Sequence, residues 1–211
     1  MSRYQPPELL AARHQLTGFR CRSVEQTAWL VEVAKQAHGT GTTRVFVVTE
    51  VDQPRVAAYY AWCLASVAIA DLPERLRRGA GRYPQPLALL ARLGVDEGHE
   101  GQGLGAALLL DVITRVASLN EASLNEASLS DAISCRGLLV HAESEQARGF
   151  DEHLIPDFER SPTDPLHLLL LLKDIRRTLG SRLAGPGSLG CRQCSSNTSG
   201  QWADTPEVRC H

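Results

Sequence analysis

Apolar residues at Val24, Ala28, Val31, Val33, Ala34 and Ala37 recur at helical spacing and predict an amphipathic helix over 24–38, stopped by Gly39 and Gly41. The pattern then turns β-branched. Residues 44–49 (Arg-Val-Phe-Val-Val-Thr) read as a strand, as do residues 56–69, rich in Tyr, Trp and Val. Asp52-Gln53-Pro54 makes the turn between them. Residues 6–15 form a lead-in strand or loop. A short helix over 73–78 follows, and Pro84 and Pro86 open a strand over 87–95. Beyond it come a helical run over 106–117, a buried strand over 137–141 and a helix over 144–154. A last strand over 166–172 and a closing helix over 174–179 end the pattern. The fold class is α/β (α+β), with a mixed central β-sheet flanked by helices.

Two stretches fit neither period. Residues 118–132 hold three copies of a pentad, Ser-Leu-Asn-Glu-Ala, Ser-Leu-Asn-Glu-Ala and Ser-Leu-Ser-Asp-Ala. Leucine every five residues keeps no helix face apolar, so tandem slippage that lengthened a loop is the favoured account. From Gly180 onward the chain is Gly, Ser, Pro and Arg without periodicity, which predicts a disordered C-terminal extension over 180–211 beside a domain over 8–179. Cys191-Arg-Gln-Cys194 and the final Cys210-His211 offer zinc-type ligands, but the few apolar residues of the tail are scattered and make no core to fold around a metal, and no metal is expected.

Composition narrows the class. The 211 residues are 43% hydrophobic, enough for one full core. No signal peptide opens the chain and no apolar stretch is long enough to span a bilayer, so a cytoplasmic protein without membrane contact is expected. The six cysteines are scattered and imply no disulfide framework. The net charge of −2 is unevenly laid out, with +5 over residues 1–92, −10 over 93–174 and +3 over 175–211. A basic N-terminal half fits either a polyanionic partner or a solvated mixed-charge surface.

The chemistry concentrates in residues 92–107. A strand ending at Val95 leads into Glu100-Gly101-Gln102-Gly103-Leu104-Gly105, and a helical run starts at Ala106. Glycines let backbone N–H groups turn inward, and a helix N-terminus adds partial positive charge, which together make a cradle for a pyrophosphate. No Lys-Ser or Lys-Thr follows the last glycine, which excludes a P-loop. The loop lies mid-chain with no acidic strand end about 20 residues on, which excludes a Rossmann site. A plain glycine-rich turn remains the bland alternative.

The loop resembles the acetyl-coenzyme A loop of the GNAT N-acetyltransferase superfamily, Gln/Arg-x-x-Gly-x-Gly/Ala, with Glu100 as a departure at the first place and Gly103 and Gly105 in pattern. The element order is also that of GNAT proteins. His14, Phe19-Arg-Cys21 and Trp29-Leu30 are similar to the opening of toxin-type members. Tyr59-Tyr60-Ala61, Arg92-Leu93-Gly94-Val95-Asp96, Leu139-Val140-His141-Ala142, Ala147-Arg148 and Ser161-Pro162-Thr163-Asp164-Pro165 extend the likeness over about residues 8–179. This TacT-like resemblance implies acetylation of the α-amine of charged tRNA, with acetyl-CoA as donor and translation blocked as the result. It also implies a homodimer and a ribbon-helix-helix antitoxin. The acetyl-CoA contacts it implies are Leu93, Gly94, Val95, Gly101, Gln102, Gly103, Leu104, Gly105 and Ala106.

The family acid is a tyrosine after Phe, whereas this chain has Phe150-Asp151. A phenol near pKa 10 suits a leaving thiolate, and an ordinary aspartate near 4 is already ionised at pH 7. Asp151 is therefore a base, an acid if burial raises its pKa, or an idle carboxylate, and Asp151→Tyr is expected to raise transfer. His99, His141 and His153 are candidate bases. His141, at a strand end, is also a candidate substrate contact, as are Arg77 and Arg78 in a basic cluster with Arg75 that suits tRNA phosphates. Cys63 and Cys135 lack a His/Asp arrangement to activate them. A relative that binds coenzyme A or an antitoxin without transfer, and a GNAT enzyme acting on another amine, stay open.

Overall fold

The computed structural model describes residues 3–125 and 135–183. Its strands are β1 (Glu8–Leu9), β2 (Arg44–Thr49), β3 (Val56–Val67), β4 (Gln85–Val95), β5 (Gly137–His141), β6 (Glu159–Arg160) and β7 (His167–Leu171). They form one seven-stranded sheet in the order β1-β2-β3-β4-β5-β7-β6. All neighbours are antiparallel except β4 and β5, which run parallel. Compact apolar runs with sharp polar or glycine borders explain why β2 and β5 match their predicted bounds. The two-residue β6 is too short to carry a sequence signal.

The helices are α1 (Val24–Ala28), α2 (Ala34–Gly39), α3 (Glu74–Arg77), α4 (Leu104–Asn125), α5 (Glu145–Leu154) and α6 (Leu172–Leu183). The single helix expected over 24–38 is interrupted by a π-helical stretch, Trp29–Val33, between α1 and α2. There Trp29 stacks on Tyr59 with ring centroids 6.1 Å apart. Ser23 caps α1 by accepting from Gln26 N, and Ser144 caps α5 by accepting from Ala147 N.

Helix α4 runs on to Asn125, through the first pentad and into the second, where a loop was expected. Ala, Leu and Glu are strong helix formers, and propensity prolongs the helix without an apolar face. Helix α6 likewise continues past the expected end at Leu179 to Leu183. The rest of the repeat, over 126–132, and the tail with Cys191, Cys194, Cys210 and His211 lie outside the described residues.

Strand alternation divides the core by sheet face. Tyr60, Trp62, Ala88, Leu90, Leu138 and Val140 pack under Leu108, Leu109, Ile113 and Val116 of α4 and Ile175 of α6. The opposite face carries two clusters. Tyr59 and Ala61 meet Leu30 and Ala34 of the first helices, and Leu87, Leu139 and Leu169 meet Leu72 and Leu76 of α3. Each fully buried leucine of this kind contributes roughly 1.5–3 kcal/mol.

The β4–β5 ladder positions the site. It runs only from Ala88↔Leu138 to Leu90↔Val140, while β4 continues to Val95 paired with β3 alone. A bulge at Ala61/Trp62 leaves Ala91 as the extra residue, and it bends β4 away at the level where β5 ends. The sheet therefore opens into a cleft between Arg92–Val95 and the end of β5.

Candidate active site

Asp96 N donates to Ala57 O, which by strand alternation turns the amides of Gly94 and Arg92 towards β3 and those of Leu93 and Val95 into the cleft. Two of the three β4 residues implied as donor contacts thus present free N–H groups. Gly94 has a different reason to be glycine, because a Cβ there would lie 2.8 Å from Tyr59 Cε1. It lets the sheet pack on the Tyr59 ring rather than holding the donor through its own amide.

Below the cleft, Asp96 pins the approach to the loop. Its carboxylate accepts from Arg20 N at 2.9 Å and Gly98 N at 3.1 Å. Gly101 (φ 71°) and Gly103 (φ 76°) occupy the left-handed region, with nothing within 4 Å of where a Cβ would stand. Leu104, Gly105 and Ala106 then open α4, whose first turn has free amides aimed back at the loop. An open cradle of this kind fits a pyrophosphate. Gly105 is ordinary helix, and a Cβ added there would touch the Phe150 ring at 3.6 Å. Gly103→Val should therefore weaken coenzyme A binding about tenfold or more through backbone strain, with Gly105→Ala close to wild type. Calorimetry on both variants checks this, and equal affinity for Gly103→Val and wild type would remove the loop from the site.

Glu100 does not face the cradle as a bare carboxylate. Arg22 holds it in a bidentate pair, Nε to Oε1 at 2.8 Å and Nη2 to Oε2 at 2.7 Å. This bridge, between residues 78 positions apart, has no local signal in the sequence. It cancels the charge that makes Glu100 a poor fit to the loop pattern.

The cleft floor is lined by Leu90, Leu93, Val140, His141, Phe150 and Asp151, with Gln26 and Arg92 at its α1 side. Asp151 sits on α5 and is 8% exposed. Burial, reinforced by the neighbouring Glu152 carboxylate, pushes its pKa up to about 7. Of the roles open to Asp151, a base, an acid with a raised pKa or an idle carboxylate, this burial favours the acid. Among the described residues no tyrosine competes for the acid's role in this cleft. Tyr59 OH donates to Gln26 O at 2.7 Å and Tyr60 OH to Asp111 Oδ2 at 2.5 Å, and burial drives both phenols far up in pKa. Tyr4 OH lies 3.0 Å from His99 Nδ1, and Tyr83 is 82% exposed outside the cleft lining.

Of the other candidates, His99 packs edge-on to Tyr4, and His153 is exposed outside the cleft lining. Arg77 and Arg78 stand exposed on and just after α3, with Arg78 bridged to Glu74, and neither lines the cleft. Arg75 is bound to Glu159 and Asp174. Cys63 is half-buried, and burial raises its thiol pKa, the wrong direction for a nucleophile. Among the described residues no three His, Cys, Asp or Glu side chains are grouped to hold a metal, and no helix is long and apolar enough to cross a membrane. Sequence reasoning does not single out His167, whose Nε2 lies 3.1 Å from His141 Nδ1.

No family model matches the chain. A tRNA-acetylating toxin of Mycobacterium tuberculosis (strain ATCC 25618 / H37Rv) is 39% identical over 180 residues, covering 85% of this chain and 99% of the relative. The chain belongs to the TacT-type family of GNAT toxins. A probable toxin TacT of Sinorhizobium fredii (strain NBRC 101917 / NGR234) is 28% identical over 169 residues, 80% of this chain and 91% of the relative. Two solved structures share the GNAT toxin fold. AtaT complexed with acetyl-methionyl-tRNAfMet superposes with a TM-score of 0.71 at 23% identity, over 83% of this chain and 99% of that one. A tyrosine-to-phenylalanine variant of AtaT, bound to the C-terminus of the antitoxin AtaR and acetyl-CoA, gives 0.65 at 22% identity, over 84% and 98%.

Proposed function

We propose that this protein is an acetyl-CoA-dependent N-acetyltransferase toxin that acetylates the α-amine of an aminoacyl-tRNA and so blocks translation. The observation that carries the reading is a buried carboxyl, Asp151, facing the cleft where β4 and β5 part above a glycine cradle. The cradle amides bind the donor's pyrophosphate. The free Leu93 and Val95 amides hold the pantetheine arm and polarise the thioester carbonyl. Asp151, whose burial raises its pKa to about 7, delivers a proton to the departing sulfur. The relatives named for tRNA acetylation, and AtaT with acetyl-methionyl-tRNA, support charged tRNA as the acceptor.

Arg77 and Arg78 serve as outer phosphate contacts on this reading, since α3 lies on the sheet face that carries His141. The AtaT complex with AtaR supports neutralisation by an antitoxin, which we assign to the ribbon-helix-helix class. A homodimer acting in the cytoplasm completes the proposal.

The deciding experiment incubates the protein with labelled acetyl-CoA and a pool of charged tRNAs. Label should appear on aminoacyl-tRNA and not on uncharged tRNA. Coenzyme A binding without any transfer would replace this reading with that of a non-transferring relative. Transfer to small amines alone would replace the acceptor.

A further inference from the structure

His141 belongs to two concavities at once. On one side it lines the cleft with Val140, Phe150 and Asp151, where the thioester is placed. On the other it lines a groove with Ala65, Leu89, Leu139, Asp71 and His167. That groove lies on the sheet face opposite α4, because Leu89 and Leu139 pack towards α3 whereas Leu90 and Val140 pack towards α4. Donor and acceptor can therefore reach the same opening from opposite faces, with His141 at the junction.

The ring of His141 is held from one side only. His167 Nε2 lies 3.1 Å from its Nδ1, the rings are edge-to-face with centroids 4.7 Å apart, and Asp164 Oδ2 stands 3.6 Å from the same His167 nitrogen. Asp164 is fixed in turn, since its Oδ1 accepts from Leu166 N at 2.9 Å. The Ser161–Thr163 segment before it is tied to the turn at Asp71, with Thr163 Oγ1 donating to Asp71 Oδ1 at 2.7 Å. If His141 Nδ1–H donates to His167, its Nε2 lone pair is left for a proton arriving from the acceptor. The charged and titratable groups around it are His167, Asp164 and Asp71 on the groove side, and Arg92, Glu143 and Asp151 on the cleft side.

We propose that His141 is the general base for the acceptor amine, that His167 is its positioning residue, and that the groove over Ala65, Leu89 and Leu139 seats the aminoacyl end of the acceptor. This rests on the acetyl-transfer reading above. His141 Nε2 takes one proton from the ammonium, and the neutral nitrogen forms the new C–N bond at the acetyl carbonyl. The C–S bond breaks with its electron pair on sulfur, and Asp151 protonates that sulfur. The second amine proton passes to the carboxylate left on Asp151, which restores it, and His141 releases its proton to solvent.

The test measures acetyl transfer to charged tRNA across pH 6–9, with coenzyme A affinity measured alongside. His141→Asn should lower kcat/KM about 10²-fold at pH 6.5 and leave coenzyme A affinity within a few-fold. The deficit should shrink as pH rises and the amine deprotonates unaided, and added imidazole should restore part of the rate. His167→Leu, which removes the acceptor for Nδ1–H, should lower kcat about tenfold, whereas His167→Gln should recover most of that loss. A His141→Asn variant within threefold of wild type at pH 6.5, or a loss that is the same at every pH and indifferent to imidazole, would overturn the assignment. A wild type that binds coenzyme A but labels no charged tRNA would instead overturn the acetyl-transfer reading, and this inference with it.

Discussion

Asp151→Ala should lower the kcat of acetyl transfer about 10²–10⁴-fold while leaving coenzyme A affinity nearly unchanged. The expectation follows from the absence, among the described residues lining the cleft, of any other buried acid whose proton is lost near neutral pH. Asp151 carries a pKa of about 7, set first by desolvation and then by Glu152. Transfer needs its protonated form, so kcat should fall as pH rises above about 7. Asp151→Tyr should move that falling limb towards pH 10, the ordinary phenol value, and the two proteins should differ most at pH 8–9. At pH 6 the aspartic acid is itself largely protonated, so the advantage expected for the tyrosine from sequence alone shrinks there. Rate profiles of the wild type and both variants decide the matter. An alanine variant with wild-type turnover, or a falling limb that stays put in the tyrosine variant, would show that Asp151 does not deliver the proton.

The contrast between Asp151 and the glycine loop shows which parts of a site a sequence carries. Gly101 and Gly103 are local features. The backbone turn they permit is decided within five residues, and the left-handed φ of both follows the pattern. Strands β2 and β5 are local in the same sense, as short apolar runs bounded by polar residues or glycine. Arg22 meeting Glu100, and His167 meeting His141 across β5 and β7, are products of topology and leave no spacing to read. The end of α4 escapes a reading by periodicity, because the pentads keep helix propensity while losing an apolar face. The raised pKa of Asp151 belongs with the non-local group. Residue type fixes its starting value, and the packing of α5 against the sheet sets the shift.

That same shift makes Asp151 a burden on the folded state at alkaline pH. The folded pKa of about 7 lies above the unfolded value near 3.9. Below about pH 4 the carboxyl is protonated in both states and the site has no penalty. Between about pH 4 and pH 7 the unfolded chain ionises while the folded one resists, so stability declines through this window and levels off above it. Asp151→Asn keeps the shape and removes the charge, and should therefore stabilise the protein at pH 8 by about 2–4 kcal/mol, the lower end allowing for the amide's own need of a partner. At pH 4 the two proteins should be nearly equal. Urea unfolding at both pH values measures the difference, with the slope of the transition expected to stay constant. The variant should be the more stable protein and the poorer enzyme, the usual relation when a group is buried for its chemistry. A stability difference that is the same at pH 4 and pH 8 would mean that the carboxyl titrates normally, and the proton-donor assignment would lose its physical basis.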